Sequence, residues 1–363
     1  MRMRAVCGVL AGLAALSVPA TADTPVSLQD DAYHFRQWQD GRHDGLYAEW
    51  WYFNLVDADH GLEAAFAYSV IDPTNRSGLG LASVLAVVYQ PEGHFQQIAH
   101  SSQESFLASE EQADVSIATG ESGDGQIEAI DDHRYRVRGR VAGAHTVVWN
   151  LEFVRQGEPW LGLDRRNVGR REWERMSWLV YMPAASVTGE VIVDGRAYQV
   201  NGARGYHDHN WGEWRPHGVK WNWAQYSEPG LTLALGDFMT APEGVVGLDY
   251  QARRTVFAKD QYRLIHTAWS TDEANGRRFP TTSWLRAENE TTLLLVRLRA
   301  LATEAIIPPL EIPFLPEPLL YEQTAEITGR VWEKDEAGRW RLLTSFGGTG
   351  FKEYTTVTSR SGP

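Results

Sequence analysis

Apolar and polar side chains alternate along most of this chain, which is the period of a β-strand with one buried face. The clearest run is 134–141, where arginines alternate with tyrosine, valine and glycine. Comparable patterns predict strands over residues 50–56, 62–70, 81–89, 146–153, 178–182, 221–227, 231–238, 291–300, 326–333 and 351–357. Turn-forming pairs such as Asp124-Gly125 separate these runs at the spacing of an antiparallel sandwich or barrel. The predicted fold class is all-β.

Two segments, 103–113 and 164–174, have a weaker pattern that is compatible with a helix. The second segment carries a run of arginines, namely Arg165, Arg166, Arg170 and Arg171. Charge runs are more often solvated connections than ligand sites, so we favour a solvated connection over an anion site here.

The length of 363 residues exceeds what one compact domain usually holds, so we expect two domains. Residues 201–205 interrupt the strand pattern, which places the domains at 23–203 and 204–363. A second landmark is 307–318, which holds five prolines among apolar residues. Because proline is excluded from central strands, this segment should be an extended loop, either a flap over a cavity or packing between the domains.

The first 22 residues have the features of an export signal. Arg2 and Arg4 precede an apolar run, and Ala20-Thr21-Ala22 offers the small residues that a signal peptidase reads. We expect cleavage after Ala22 and export to a bacterial periplasm or to the outside of the cell. The apolar run is too short to span a bilayer comfortably and no longer run follows, so no integral membrane segment is expected after cleavage.

Composition narrows the classes of partner. The chain has 34 Lys+Arg against 47 Asp+Glu, a formal net charge of -13, which is the wrong sign for holding nucleic acid. The single cysteine, Cys7, lies in the predicted leader, so the mature protein would have no disulfide and no cysteine ligand or nucleophile.

The first motif that could carry chemistry is 49–54, which reads Glu-Trp-Trp-Tyr-Phe-Asn. On a strand, Glu49, Trp51 and Phe53 share one face and the residues between them share the other, so both faces should be buried. A buried carboxylate needs hydrogen-bond donors or a raised pKa. Glu49 is therefore either a structural carboxylate that pins two strands or an acid in a cavity.

The second motif is 205–214, which reads Gly-Tyr-His-Asp-His-Asn-Trp-Gly-Glu-Trp. Alternation places His207, His209 and Trp211 on one face of a strand. This cluster could do acid–base work or form a structural hydrogen-bonded group. No metal is predicted, although His207 and His209 could act as ligands with Glu213 or His217 as a third.

The third motif combines a tryptophan pair with an acid. Trp221 and Trp223 share one face of a strand, and Asp237 interrupts an apolar strand that begins at Leu231. An acid in that position should be paired, with the backbone or with His209, or be kept protonated for chemistry.

Together, 49–53 and 205–212 resemble the carotenoid 1,2-hydratase (hydroxyneurosporene synthase) superfamily, which also includes AttH-type lipocalin-like proteins. Related fungal enzymes are intramolecular Diels-Alderases and terpenoid cyclases or hydratases. The resemblance implies two lipocalin-like antiparallel β domains, packed side by side, with a ligand cavity at or near their interface.

The resemblance also implies a proton-transfer group. The family pattern is His-x-Trp followed by Tyr-x-Asp, and His209-Asn210-Trp211 matches the first element. Leu235-Gly236-Asp237 matches only the aspartate of the second element, because leucine stands where the tyrosine would be.

These residues suggest a hydratase- or cyclase-like enzyme that acts on a hydrophobic isoprenoid or polyene without a cofactor. Protonating an alkene requires a buried acid, and indole faces can stabilise the resulting cation. We expect Asp237 to donate the proton, with His209 as its partner or as the base that positions water. Glu49 and Asp208 are further candidate acids. The expected cavity wall comprises Trp51, Tyr206, Trp211, Trp221 and Trp223.

Two alternatives remain open on the same residues. One is a periplasmic lipocalin-like carrier that binds an apolar ligand without changing it. The other is a pericyclase, which would need cavity shape and hydrogen-bond donors but no strong acid.

Overall fold

The computed structural model describes residues 25–309 and 317–357 of the chain. The leader expected over 1–22, including Cys7, and the central part of the proline-rich segment lie outside the described residues. Within the described ranges, no helix is long and apolar enough to span a bilayer.

The first of two antiparallel sheets contains strands β1 to β12. Their bounds are β1 Tyr47–Asp57, β2 Leu62–Ile71, β3 Leu81–Gln90, β4 Gly93–Ser101, β5 Phe106–Ala108, β6 Val115–Ala118, β7 Gly123–Ala129, β8 Arg134–Ala142, β9 Thr146–Arg155, β10 Trp160–Asn167, β11 Arg175–Val193 and β12 Arg196–Glu213. The strand order is β4-β3-β2-β1-β12-β11-β9-β8-β7-β6-β5, and β10 pairs with β11. The long strand β12 therefore lies at the centre, between β1 and β11.

The second sheet contains the remaining strands in the order β16-β15-β14-β13-β21-β20-β19-β18-β17. Their bounds are β13 Trp221–Glu228, β14 Leu231–Phe238, β15 Gly244–Tyr250, β16 Arg253–Ala258, β17 Tyr262–Thr271, β18 Arg278–Glu288, β19 Thr292–Ile306, β20 Pro318–Lys334 and β21 Trp340–Val357. Both sheets curl into half-barrels, so the predicted class of two lipocalin-like β domains is confirmed.

Helical structure is brief in the described part of the chain. A single α-helical turn, α1, spans Phe35–Trp38, and 3-10 turns occupy Leu28–Asp31, Asp44–Leu46, Gln103–Ser105, Gly120–Ser122 and Lys259–Gln261. The helical reading of 103–113 is wrong, because Phe106 and Ala108 pair with β6 as a short edge strand. The helical reading of 164–174 is also wrong, since β10 runs to Asn167 and a turn follows.

Three hydrophobic cores account for the architecture. One fills the concave side of the first sheet, around Trp51, Phe53 and Trp149. Another fills the second sheet, around Leu233 and Phe346. The third core lies between the sheets and takes side chains from both of them, which include Tyr52, Trp178, Tyr206, Trp223 and Phe351. Because burying one large apolar side chain contributes roughly 1.5–3 kcal/mol, this shared core holds the two sheets together.

The chain passes from the first sheet to the second through residues 214–220. Strand β12 runs without interruption through the expected domain boundary at 203/204 and pairs with β1 and β11 up to Glu213. The chain therefore changes sheets about ten residues C-terminal to the expected boundary. Whether the sheets are separate folding units stays a prediction.

Candidate active site between the two sheets

Strands β1 and β12 each present one face to the first core and one to the space between the sheets. Glu49 and Trp51 lie in the first core, whereas Tyr52 packs in the shared core. On β12, His209 faces inward with the first set and Asp208 faces the second sheet. The faces predicted from alternation are confirmed, and they divide the candidate residues into two separate groups.

The inward group is a closed network of acids and imidazoles. His207 contacts Asp31 through Nε2 at 2.9 Å and donates from Nδ1 to the Tyr52 carbonyl at 2.9 Å. His209 lies with Nδ1 3.2 Å from Asp31 Oδ1 and Nε2 2.8 Å from Glu49 Oε1. All four side chains of these acids and histidines are fully buried.

Further donors complete the network. The backbone N–H of His34 donates to Glu49 Oε1 at 3.0 Å, and the Tyr47 hydroxyl donates to Oε2 of the same carboxylate. The Tyr135 hydroxyl donates to Asp31 Oδ2 at 2.8 Å. Burial alone would raise the pKa of both carboxyls, but the histidines outweigh it and lower both. The two carboxylates in turn raise the pKa of His209 against the effect of burial.

This network ties the segment before β1 to the two central strands. Asp31 and His34 precede β1, and their partners lie on β1 and β12. The rings of His34 and Trp211 stack at 4.0 Å, so the network is packed on an indole face as well. The structure thus favours the interpretation of Glu49 as a structural carboxylate that pins strands.

The outward group borders a cavity of about 210 Å³ between the sheets, the seam cavity. Its walls are mostly apolar and come from both sheets and from the segments joining strands. They include Trp50, Tyr52, Ala65, Ala67, Leu85, Val87, Trp214, Val219, Trp221, Ile306, Pro308, Pro309, Pro318, Leu320, Glu322 and Glu353. The described ends of the proline-rich segment therefore line this cavity, and because the cavity lies between the sheets, this position is compatible with both interpretations of the segment.

Two carboxyl groups meet at the wall of the seam cavity. Glu322 on β20 and Glu353 on β21 are directly opposite in the strand register, and their side chains hydrogen-bond to each other. The Tyr52 hydroxyl donates to Glu322 Oε1 at 3.0 Å, across the seam. The Trp221 indole N–H donates to Glu353 Oε2 at 2.7 Å. Glu322 is buried and Glu353 is half-buried.

Burial, together with the repulsion between two neighbouring carboxylates, keeps at least one of the two carboxyls protonated. Desolvation raises the pKa of Glu353 to about 7, and desolvation together with Glu353 raises the pKa of Glu322 well above its ordinary value. The donors that reach the two carboxyls, Tyr52 and Trp221, are neutral. Two adjacent carboxyls without a cationic partner cannot both ionise at low cost, so the pair retains a proton near neutral pH.

Asp208 extends the acidic wall. It lines a smaller adjoining space together with Glu353 and Trp221, where Trp223 also lies. The Trp178 indole and the Tyr206 hydroxyl donate to Asp208 Oδ2 at 2.8 and 2.9 Å. Burial raises the pKa of Asp208 to about 6 in spite of these bonds. Of the other acids predicted from sequence, Glu49 also borders the seam cavity, but its carboxylate is bonded to His34 and His209 on the inward side. Asp208 is therefore the predicted acid whose carboxyl group faces the second sheet.

The structure does not bring Asp237 and His209 together. Asp237 accepts hydrogen bonds from Asn222 at 3.0 Å and Tyr262 at 2.9 Å, and it forms an ion pair with Lys259. Its partners lie on the second sheet and the turn before β17, whereas His209 is enclosed in the first core. The expected donor–base pair is replaced by two independent salt-bridged groups.

The five expected wall residues are also divided. Trp221 lines the seam cavity, and Trp223 and Tyr206 pack in the shared core beside it. Trp51 and Trp211 instead lie in the first core, where Trp51 stacks on His209 at 4.2 Å. Alternation decides the division, since Trp51 and Trp211 point to the opposite faces of their strands from Tyr52 and Asn210.

The residues that could hold a metal ion also differ from the predicted pair, His207 and His209. Ligand atoms of His34, Glu49 and His209 lie within 4.8 Å of one another. His207 is outside this group and bonds Asp31 and the backbone instead. Glu213, the expected third ligand, lies near Asp40 and His43.

Sequence reasoning missed the carboxyl pair. Glu322 precedes the strand predicted over 326–333, and Glu353 was part of a predicted strand but was not singled out. The available signal was the polar run Glu322-Gln323-Thr324 directly after the apolar 319–321. Such a run inside a strand indicates a polar site in a buried surface.

Solved structures with this fold cover nearly the whole chain. An AttH protein from Nitrosomonas europaea has a TM-score of 0.66 at 14% identity and covers 95% of this chain and 100% of that one. Kievitone hydratase from Nectria haematococca has a TM-score of 0.58 at 11% identity and covers 94% and 98%. CghA has a TM-score of 0.55 at 14% identity and covers 94% and 95%.

No protein-family model and no curated protein sequence matches the chain. The structural similarities show a fold that this chain shares with these three proteins.

Proposed function

We propose that this protein is an enzyme of the hydratase or cyclase type that transfers a proton to an apolar small molecule held in the seam cavity. The observation that carries the proposal is the Glu322–Glu353 pair, a protonated acid at the wall of an apolar cavity. One of the proteins with the same fold is named a hydratase, which supports this reaction type.

Glu353 is the proton donor in this proposal. It is half-buried at the cavity wall, and burial holds its pKa near 7, where a group is protonated yet still acidic enough to donate. After the transfer the negative charge lies on Glu353, where the hydrogen bonds from Glu322 and from the Trp221 indole N–H stabilise it. The Tyr52 hydroxyl in turn donates to Glu322.

The aromatic wall stabilises the cation that forms on the ligand. Trp50 and Trp221 are nearly parallel, with ring centres 6.2 Å apart, and both line the cavity. An indole face stabilises a desolvated cation by about 2 kcal/mol. Water then adds to the cation in a hydration and its proton returns to the carboxylate pair, or an internal double bond adds in a cyclisation and a C–H proton returns.

The ligand class follows from the wall chemistry. A mostly apolar cavity with one acidic pair suits a hydrocarbon chain or ring with a double bond, and an isoprenoid or polyene fits that description.

The experiment incubates the full chain with a panel of isoprenoids and polyenes in deuterated water. We expect the wild type to give product with deuterium on carbon, and Glu353→Gln to lose about 10²–10⁴-fold in rate while still quenching tryptophan fluorescence on ligand binding. Asp237→Asn is the matched control and should keep its activity, since its partners are Asn222, Lys259 and Tyr262.

The rival functions give other results. Ligand binding without product from any compound would make the protein a carrier. Product formation that is equally fast in Glu353→Gln, with no deuterium on carbon, would indicate a pericyclase.

A further inference from the structure

A second concave site lies on the other side of the segment that joins the sheets. It is an open cleft of about 630 Å³, the basic basin, lined by Arg170, Arg171, Arg215, His217 and Lys220 together with Gly218, Met239 and Thr240. None of these lining residues is acidic. Residues from the turn after β10 and from 215–220 meet here, far apart in sequence.

Most of the positive charge in the basin has no partner. In the part of the chain that the structure describes, the side chains of Arg170, Arg171 and Lys220 make no hydrogen bond or ion pair. The carboxylate of Glu174, which the basin residue Arg171 contacts through its backbone N–H, is occupied by Arg215, which donates to both of its oxygens at 2.8 and 3.1 Å. Three positive charges therefore converge without compensation in a chain whose formal net charge is -13.

The ion pair between Glu174 and Arg215 holds the segments that line the basin in place. Glu174 is buried and also accepts from the backbone N–H of Arg171 at 2.8 Å. It thereby ties the turn after β10 to the segment 215–220, which brings Arg170 and Arg171 next to Lys220. In addition, the Nδ1 atom of His217 is buried and has no hydrogen-bond partner among the described residues.

The segment 214–221 separates the basin from the seam cavity. Trp214, Pro216, Val219 and Trp221 line the seam cavity, whereas Arg215, His217, Gly218 and Lys220 line the basin. One short stretch of chain thus forms the apolar wall of one site and the cationic wall of the other.

We propose that the basic basin binds a phosphate or diphosphate group. Arginine side chains offer planar, paired donors that match the oxygens of such groups. The sequence alone favoured a solvated connection for 164–174, because Arg215, His217 and Lys220 become its neighbours only in the fold. This site does not depend on the acid–base chemistry proposed for the seam cavity.

The test is calorimetric titration of the full chain with inorganic phosphate and pyrophosphate. We expect saturable binding by the wild type and a dissociation constant about tenfold or more higher in R170A/R171A. Both arginines are exposed, so the variant should fold, which circular dichroism checks. R263A/R330A removes the same charge from exposed sites outside the basin and should bind as the wild type does.

A second titration identifies the source of the group. Monododecyl phosphate that binds much more tightly than phosphate, with the same loss in R170A/R171A, shows that the phosphate is carried by an apolar chain. Equal binding of the two shows that a free oxyanion is the ligand. No saturable binding of phosphate or pyrophosphate, or equal affinity of the wild type and R170A/R171A, would overturn the proposal.

Discussion

At the level of single residues, the molecule holds buried carboxyls in two opposite charge states. Asp31 and Glu49 face histidines, and those partners lower the pKa of both carboxyls. Glu322 and Glu353 face each other and neutral donors, and their pKa values are raised. The partner, rather than the depth of burial, decides whether a buried acid is ionised.

The ionised network should be a large source of stability. His209→Ala removes a partner of both Asp31 and Glu49, and an uncompensated buried charge typically destabilises by about 3–5 kcal/mol. His60→Ala is the control, because His60 forms a partly exposed pair with Asp57 that should contribute less than about 1 kcal/mol. Urea unfolding of both variants measures the difference. Similar losses of stability in the two variants would mean that the buried network contributes no more than a partly exposed ion pair.

The same network predicts loss of stability in acid. The pKa values of Asp31 and Glu49 are lowered in the folded state, so their stabilisation is present above their unfolded values near 4 and is lost as the pH falls below them. We expect the urea midpoint of the wild type to fall below about pH 4 more steeply than that of His209→Ala. Parallel pH profiles would contradict the assignment of ionised carboxylates.

The protonated pair predicts the opposite pH dependence. Burial raises the pKa of Glu353 to about 7. Its contribution to the free energy of unfolding is therefore fully present below its ordinary pKa of 4.5 and is lost as the pH rises through 7. Relative to Glu353→Gln, the wild type should lose on the order of 2 kcal/mol between about pH 5 and pH 8. Urea unfolding at several pH values tests this. The exposed Glu290→Gln variant should show no such trend, and a flat Glu353 profile would indicate an ionised group.

At the level of strands, some glycines lie under a large side chain of the neighbouring strand, which occupies the space that a Cβ atom would need. Gly139 on β8 is directly opposite Trp149 on β9, and a Cβ atom at Gly139 would lie 2.2 Å from Cζ2 of the indole. The indole covers the glycine, and its N–H donates to the Tyr68 hydroxyl at 2.7 Å. This pair therefore fixes the separation and register of two neighbouring strands.

Gly139→Ala should destabilise the protein by about 1–3 kcal/mol, since the buried indole has little room to move. Combining it with Trp149→Leu should cost less than the sum of the two single changes, because the smaller side chain removes the clash. Unfolding free energies of the three variants test this coupling. Additive losses would show that the close approach does not limit packing here.

Most strands could be predicted from sequence because alternation is a local property. The runs at 134–141 and 231–238 lie within β8 and β14, and the faces of β1 and β12 follow from parity alone. The predicted helices failed for a tertiary reason. Phe106 and Ala108 gain strand partners on β6 that a pattern within 103–113 cannot show.

The candidate site was less predictable because it depends on which strands meet. Alternation placed Asp208 and Trp221 on buried faces, and the fold brings both to the seam. It could not place Glu322 against Glu353, since that contact arises from the register of β20 and β21. The link expected between Asp237 and His209 failed because the His209 side chain faces inward to Asp31 and Glu49, away from the sheet that carries Asp237.

At the level of the whole molecule, the shared core couples the two sheets. It contains large side chains from both, and polar bonds cross it as well, since Gln225 donates to Asn54 at 3.0 Å and Tyr89 to the Glu322 carbonyl at 2.7 Å. Exposing this surface would be costly for either sheet alone. The arrangement favours one cooperative unit over two independent domains.

Equilibrium unfolding should therefore show a single transition. Tryptophan fluorescence and far-ultraviolet circular dichroism, recorded on the same urea series, should coincide, because neither sheet keeps its packing when the other unfolds. Two separated transitions would instead assign independent stability to the halves, in line with the predicted domains 23–203 and 204–363.

Infrared spectroscopy of the carboxyl groups at neutral pH tests directly whether Glu322 and Glu353 are protonated. We expect a protonated-carboxyl C=O band in the wild type at pH 7 that weakens in Glu322→Gln and in Glu353→Gln and weakens further when both are replaced, because burial raises the pKa of each carboxyl. The band should remain in Asp237→Asn. A wild-type spectrum at pH 7 with no protonated-carboxyl band, or a band of unchanged intensity in the double variant Glu322→Gln/Glu353→Gln, would show that the pair is ionised.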